Sequence, residues 1–184
     1  MTKPASALFT FALVLFAACC APASAQTQTT WEALPPVPDE VGFAGGFAGV
    51  SGEALVFAGG ANYAPPVFEN DKAWHDRVFV LPTPDGEWVE AGTLPRPLAY
   101  GMSVSYNGEV ICIGGDDSEQ TYAEVFALKW DGDKLTTRDL PALPEPVAYG
   151  GASLIGSTVY VVGGQSGKSI EDATNRAYAM DLAA

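Results

Sequence analysis

An all-β repeat chain is predicted by three observations. First, the apolar run Ala-Leu-Val-Phe-Ala-Gly-Gly at 54–60 recurs as Val-Ile-Cys-Ile-Gly-Gly at 110–115 and as Val-Tyr-Val-Val-Gly-Gly at 159–164. The displacements are 55 positions from Gly59 to Gly114 and 49 from Gly114 to Gly163. Second, Pro-Leu-Ala-Tyr-Gly at 97–101 returns as Pro-Val-Ala-Tyr-Gly at 146–150. Third, each doublet run comes after a turn step: Ser51-Gly52, Asn107-Gly108 and Gly156-Ser157. A period of roughly 50 residues with four short strands per unit is the signature of kelch-type β-propeller blades.

The first 25 residues are set apart from that repeat. Lys3 supplies a positive start, residues 7–18 form an apolar run too short to span a bilayer, and Ala23-Ser24-Ala25 is a small-x-small cleavage site. The expectation is a signal peptide over 1–25 and a periplasmic mature chain over 26–184. The rival reading is a lipoprotein anchored at Cys19 or Cys20, because Phe16-Ala17-Ala18-Cys19 loosely resembles a lipobox.

Residues 31–36, Trp-Glu-Ala-Leu-Pro-Pro, are echoed by Trp88 to Pro95 and, without tryptophan, by 136–141. These are the expected outer strands, where proline is tolerated because an edge leaves N–H groups unpaired. The inner strands are expected over 42–49, 99–105 and 148–154, rich in small residues where backbones converge on the axis. Each pairs with its doublet strand through the turn step in a tight hairpin. Third strands are expected over 77–81, 123–128 and 176–180, with Phe79, Phe126 and Tyr178 packing between blades. The blades so defined run 42–95, 98–141 and 147–184, the last without an outer strand. Because propellers close with at least about four blades, a partial propeller is expected, with 31–36 closing the last blade of a complete ring.

Composition excludes several functions. A formal net charge of −13, with nine Lys and Arg in all, argues against nucleic acid, whose binding needs clustered cations. One histidine, and Cys112 as the one cysteine beyond the leader, argue against a transition-metal centre, and with it against a copper-radical oxidase. No cofactor is expected. Cys112 is expected as a small core residue. The acidic stretch of Asp116, Asp117 and Glu119 lacks an EF-hand pattern and is expected as a solvated turn.

Strand directions alternate within a blade, so the loop after each doublet and the loop into each inner strand open on one face. Loops on a rigid ring are where binding groups concentrate. Four residues are therefore candidates for binding a small ligand: Asn62, His75, Arg96 and Tyr100. His75 beside Asp76 has the titration range for proton transfer, against the simpler reading of a packed histidine. Arg96 offers a planar fork to a carboxylate, against the simpler reading of a surface charge. Its counterpart in the next repeat is Glu145, so the charge itself is not required by the repeat.

The runs Trp-Glu-Ala-Leu-Pro-Pro at 31–36, Gly-Phe-Ala-Gly-Gly-Phe-Ala-Gly-Val at 42–50, Phe-Ala-Gly-Gly-Ala-Asn at 57–62, Trp74-His75 and Ala99-Tyr100-Gly101 leading to Ile113-Gly114-Gly115 carry a family resemblance. They resemble the N-acetylneuraminate epimerase (sialic acid mutarotase) family, in particular its cyclically permuted members. That resemblance implies a six-bladed kelch propeller, of which this chain looks like about three blades, exported to the periplasm. It also implies a sialic acid-like sugar as ligand and interconversion of its anomers by acid and base proton transfers. The family's Gly-Glu-x-x-Pro-Gly-x-Arg motif is not found here, so catalytic residues are unknown and the chain by itself is expected to be inactive. The alternative is a non-catalytic kelch module binding glycan or protein at the cell envelope. Two copies pairing to complete a ring is a geometric option that the sequence does not speak to.

Overall fold

The computed structural model describes residues 29–184. The stretch expected as a signal peptide, with Cys19 and Cys20, lies outside the described residues. The repeats fold as three radial antiparallel sheets.

The first blade contains β1 (Phe47–Ser51), β2 (Ala54–Ala58), β5 (Arg77–Leu81) and β6 (Val89–Thr93), hydrogen-bonded in that order. A small hairpin of β3 (Ala61–Tyr63) and β4 (Lys72–Trp74) stands on the loop between β2 and β5. The second blade is β7 (Met102–Tyr106), β8 (Glu109–Ile113), β9 (Val125–Trp130) and β10 (Leu135–Leu140). The third is β11 (Gly151–Ile155), β12 (Thr158–Val162) and β13 (Ala177–Asp181), with a single 3-10 turn at Ile170–Asp172 before its last strand. The kelch reading of blades, hairpins and third strands therefore holds.

Two expectations about strand extent need correcting. The inner strands begin later than expected, because the chain makes a left-handed kink first. Tyr100 and Tyr149 both have φ of 58° and Gly45 has 68° at the same repeat position. Just before each kink, Ala44, Ala99 and Ala148 bridge to Ala61, Asp116 and Gln165 respectively. Residues 31–36, expected as a closing outer strand, form no strand. A strand exists by pairing, and the outer edge of β13, the place for such a strand, is unpaired among the described residues.

The alternation of each doublet strand explains how blades stack. Val56 and Ala58 face forward onto Val110, Cys112, Phe126 and Leu128 of the second blade. Ile111 and Ile113 face forward onto Val159 and Val161 of the third. The ring of Phe47 meets Phe126 edge-on at 6.0 Å between centroids. Cys112 is a buried core residue, as expected, and burial pushes its thiol pKa up, away from reactivity. On the third blade the forward positions are Tyr160 and Val162, 40% and 56% exposed, with Ile155 beside them at 69%.

Main-chain bonds tie blade to blade near the axis. The Tyr100 N–H donates to the Gly45 carbonyl and the Tyr149 N–H to the Tyr100 carbonyl, each at 2.7 Å. The second glycine of each of the first two doublets reaches the next blade in the same way: Gly60 N–H to Leu98 O and Gly115 N–H to Val147 O, both 2.9 Å. This explains the preceding glycine. A Cβ on Gly59 would lie 2.2 Å from Leu98 O, and one on Gly114 would lie 2.1 Å from Val147 O. No side chain fits where the next backbone crosses.

Candidate functional site: an aromatic floor with two lysines

The repeated kink at Tyr100 and Tyr149 places two tyrosines at equivalent positions of neighbouring blades. Their rings stack at 4.7 Å with 23° between planes. Trp74, at the end of β4, stands edge-on to Tyr100 at 5.7 Å and 82°. The small hairpin also brings Lys72, whose Nζ lies 4.3 Å from the Tyr100 ring centre, 4.7 Å from that of Trp74 and 6.0 Å from that of Tyr63. From the third blade, Lys168 sets its own Nζ 4.6 Å from the Trp74 ring centre. Cations over such ring faces are attracted by the quadrupole, by about 0.5–2 kcal/mol each. Three blades thus contribute to one cluster.

Asp116 anchors it from below. It occupies the position after the second doublet, is 1% exposed, and is held by paired main-chain bonds to Ala99. Its Oδ2 accepts from the Tyr149 hydroxyl at 3.1 Å and from Lys168 Nζ at 3.0 Å. Its Oδ1 has no partner among the described residues. Lys168 also donates to the Asp117 carbonyl. Burial, and next the negative charge of Asp116, push the Tyr149 pKa up, so this hydroxyl stays protonated and acts as a donor. The acidic turn is expected from sequence to be solvated, and for Asp116 that is corrected: its carboxylate is buried against a lysine that lies 52 residues away in sequence.

Asp117 behaves as a turn residue. Its carboxylate accepts from the N–H groups of Glu119 at 2.7 Å and Gln120 at 3.0 Å, and from the Tyr122 hydroxyl at 2.5 Å. Burial opposes its ionisation, but these donors outweigh it, led by Tyr122, and hold the carboxyl below its ordinary value of 3.8. A depressed folded value means that Asp117 contributes stability above the ordinary carboxylate pKa and loses it as pH falls through the folded value. Tyr122→Phe is therefore expected to cost about 1 kcal/mol or less at pH 7, since the carboxylate is partly solvated, and nothing in strong acid. Urea denaturation of both proteins at neutral pH and in strong acid checks this. A deficit that persists unchanged in acid would refute it.

The four residues singled out from sequence fall into separate arrangements. Asn62 and His75 are brought together: His75 Nε2 lies 2.9 Å from Asn62 Oδ1, and Asn62 Nδ2 donates to the Gly42 carbonyl at 2.8 Å. The His75 ring sits edge-on to Phe43 at 5.0 Å. This pair fastens the β3 and β4 hairpin to the chain leading into β1. Tyr100 lies in the aromatic floor. Arg96 has other partners, Glu124 at 3.1 Å and the face of Tyr122 at 4.4 Å.

The Arg96 pair turns out to be a repeat feature with free sign. Glu145 holds the same place in the third blade and pairs with Arg176, the counterpart of Glu124, while also accepting from the Tyr178 hydroxyl at 2.6 Å. In the first blade Arg77 takes the strand position and pairs with Asp39 at 3.4 Å. What the repeat keeps is an opposite-charge pair between the lead-in segment and the third strand. Sequence reasoning misses Lys72, Tyr149 and Lys168. The two Ala-Tyr-Gly copies signal the tyrosine pair; nothing local signals Lys168.

The arrangement defines a kelch-type propeller segment whose loop face gathers stacked aromatics and ammonium groups, a surface suited to a polar ring with negative charge. The family model for N-acetylneuraminate epimerase matches residues 20–137. The N-acetylneuraminate epimerase of Haemophilus influenzae (strain 86-028NP) is 37% identical over 123 residues, covering 58% of this chain and 32% of that protein. Those of Brucella suis (strain ATCC 23445 / NCTC 10510), at 39% over 123 residues, and Yersinia pestis (strain Pestoides F), at 33% over 140 residues, cover 58% and 60% of this chain and 31% and 35% of theirs. The solved structure of YjhT superposes with a TM-score of 0.55 at 27% identity, covering 59% of this chain and 34% of that one. The chain belongs to the N-acetylneuraminate epimerase family. It spans about a third of the length of the curated relatives it matches.

Proposed function

We propose that this chain contributes a binding wall to a periplasmic mutarotase that interconverts the anomers of N-acetylneuraminate or a related sugar. The observation that carries this reading is the family match over residues 20–137; the periplasmic part rests on the leader-like stretch at 1–25. The aromatic floor supports it, because sugars stack their apolar faces on such rings while polar groups at the rim fix orientation. Anomer exchange requires a base to take the proton of the anomeric hydroxyl and an acid to protonate the ring oxygen. The ring C–O bond then opens to a carbonyl that recloses from its other face. Tyr149, whose one hydroxyl proton goes to Asp116, offers a ligand its half-exposed ring and the lone pairs of its oxygen.

The test is NMR on the chain with N-acetylneuraminate. Saturation transfer from protein to sugar is expected, without acceleration of anomer exchange by this chain alone, because the Glu and Arg motif is lacking. Acceleration would assign the acid and base to residues present here. Absence of saturation transfer would overturn the reading.

A further inference from the structure

The cations of the described residues divide into spent and unspent ones. Arg77, Arg96, Arg138, Lys168 and Arg176 each pair with a carboxylate. Lys129 and Lys134 are exposed at the outer rim of the second blade. Lys72 is different: half-buried, caged by the rings of Tyr63, Trp74 and Tyr100, and without a carboxylate or hydrogen-bond acceptor among the described residues. Its ammonium therefore carries three N–H donors with no protein acceptor. Aromatic faces hold a cation in place but cannot accept those bonds well, so the position is preorganised for an anion arriving from solvent.

Lys168 sharpens the contrast. It shares the Trp74 ring with Lys72, yet its charge is neutralised by buried Asp116 and its donors are engaged there and at the Asp117 carbonyl. One lysine is fixed as part of the scaffold and the other is left free above the same indole. Without the Asp116 partner the two like charges would repel; with it, Lys72 keeps its attraction for an external anion.

We propose that Lys72 is the carboxylate-recognising residue of this site, a specificity determinant that selects sugar acids over neutral sugars. Trp74 and Tyr100 position its ammonium, and the half-exposed ring of Tyr149, stacked on Tyr100, offers the sugar ring a surface. This rests on the reading of the loop face as a sugar site, and it adds which atom of the protein meets the negative group.

The experiment is calorimetric titration of the full chain with two unrelated sugar acids, N-acetylneuraminate and glucuronate, each beside its methyl ester. Wild type is expected to prefer acid over ester by about tenfold, the scale of one charge-assisted hydrogen bond. Lys72→Met is expected to bring acid and ester to equal affinity, with the far-ultraviolet circular dichroism of the chain unchanged, which shows that it still folds. Lys72→Arg is expected to retain most of the preference. A Lys72→Met chain that keeps the preference, or a wild type that has none for either acid, overturns the proposal. A Lys72-dependent preference for glucuronate with no binding of N-acetylneuraminate upholds Lys72 and rejects the sialate reading.

Discussion

Gly114→Ala is expected to destabilise the protein by about 4 kcal/mol, enough to lower the melting temperature by roughly 10 °C. Gly114 has φ of 58°, and a Cβ there would lie 2.1 Å from the Val147 carbonyl oxygen. The obstacle is main chain and cannot rotate away. The lead-in to the third blade must shift, which breaks the 2.9 Å bond from Gly115 N–H to Val147 O and opens the site where Val147 is buried. Gly163 is the internal control. It has the same left-handed geometry, φ 65°, but a Cβ there would meet only the Thr174 carbonyl oxygen at 3.6 Å. Gly163→Ala is expected to cost only the left-handed strain, about 1–2 kcal/mol. Thermal and urea denaturation followed by circular dichroism compare the two. Equal losses would mean that backbone conformation alone, and not the crossing of the next blade, explains the doublets.

Phe47→Ala is expected to cost about 3–5 kcal/mol, the range for removing a fully buried aromatic ring. Phe47 sits on β1 with its ring wedged between the second blade's Phe126 and the backbone of Gly101, where an added Cβ would lie 2.3 Å from the ring. Losing the ring therefore opens a cavity at the contact between two blades. Ile155→Ala, a forward-facing position on the third blade that is mostly exposed, is expected to change stability by no more than about 0.5 kcal/mol. Urea midpoints of the two variants decide this: a small loss for Phe47→Ala would mean that the blades do not stack through the inner strands.

The gradient from Phe47 to Ile155 is the physical form of an open stack. Blade faces one and two each bury their forward residues on a successor, whereas Tyr160, Val162 and Ile155 of the third blade keep apolar side chains in solvent. The Tyr149 carbonyl continues the axial series begun by Gly45 and Tyr100, and no main-chain donor reaches it among the described residues.

Much of this was determined by the sequence alone. The glycine doublets, the Asn107-Gly108 turn with both φ values positive, and the alternating doublet strands dictate hairpins, blades and their order, because turn chemistry and side-chain alternation act over a few residues. The paired Ala-Tyr-Gly copies likewise announced two equivalent tyrosines. Tertiary structure alone decided the site. It stacked Tyr100 on Tyr149, brought Lys168 back over Trp74, buried Asp116 rather than leaving it in a solvated turn, and committed Arg96 to Glu124. Tyr100 and Tyr149, Trp74 and Lys168, and Asp116 and Lys168 stand about 50 or more residues apart, close to the length of a blade or more. A propeller brings such positions together at its axis, where no local spacing rule records which side chains will meet.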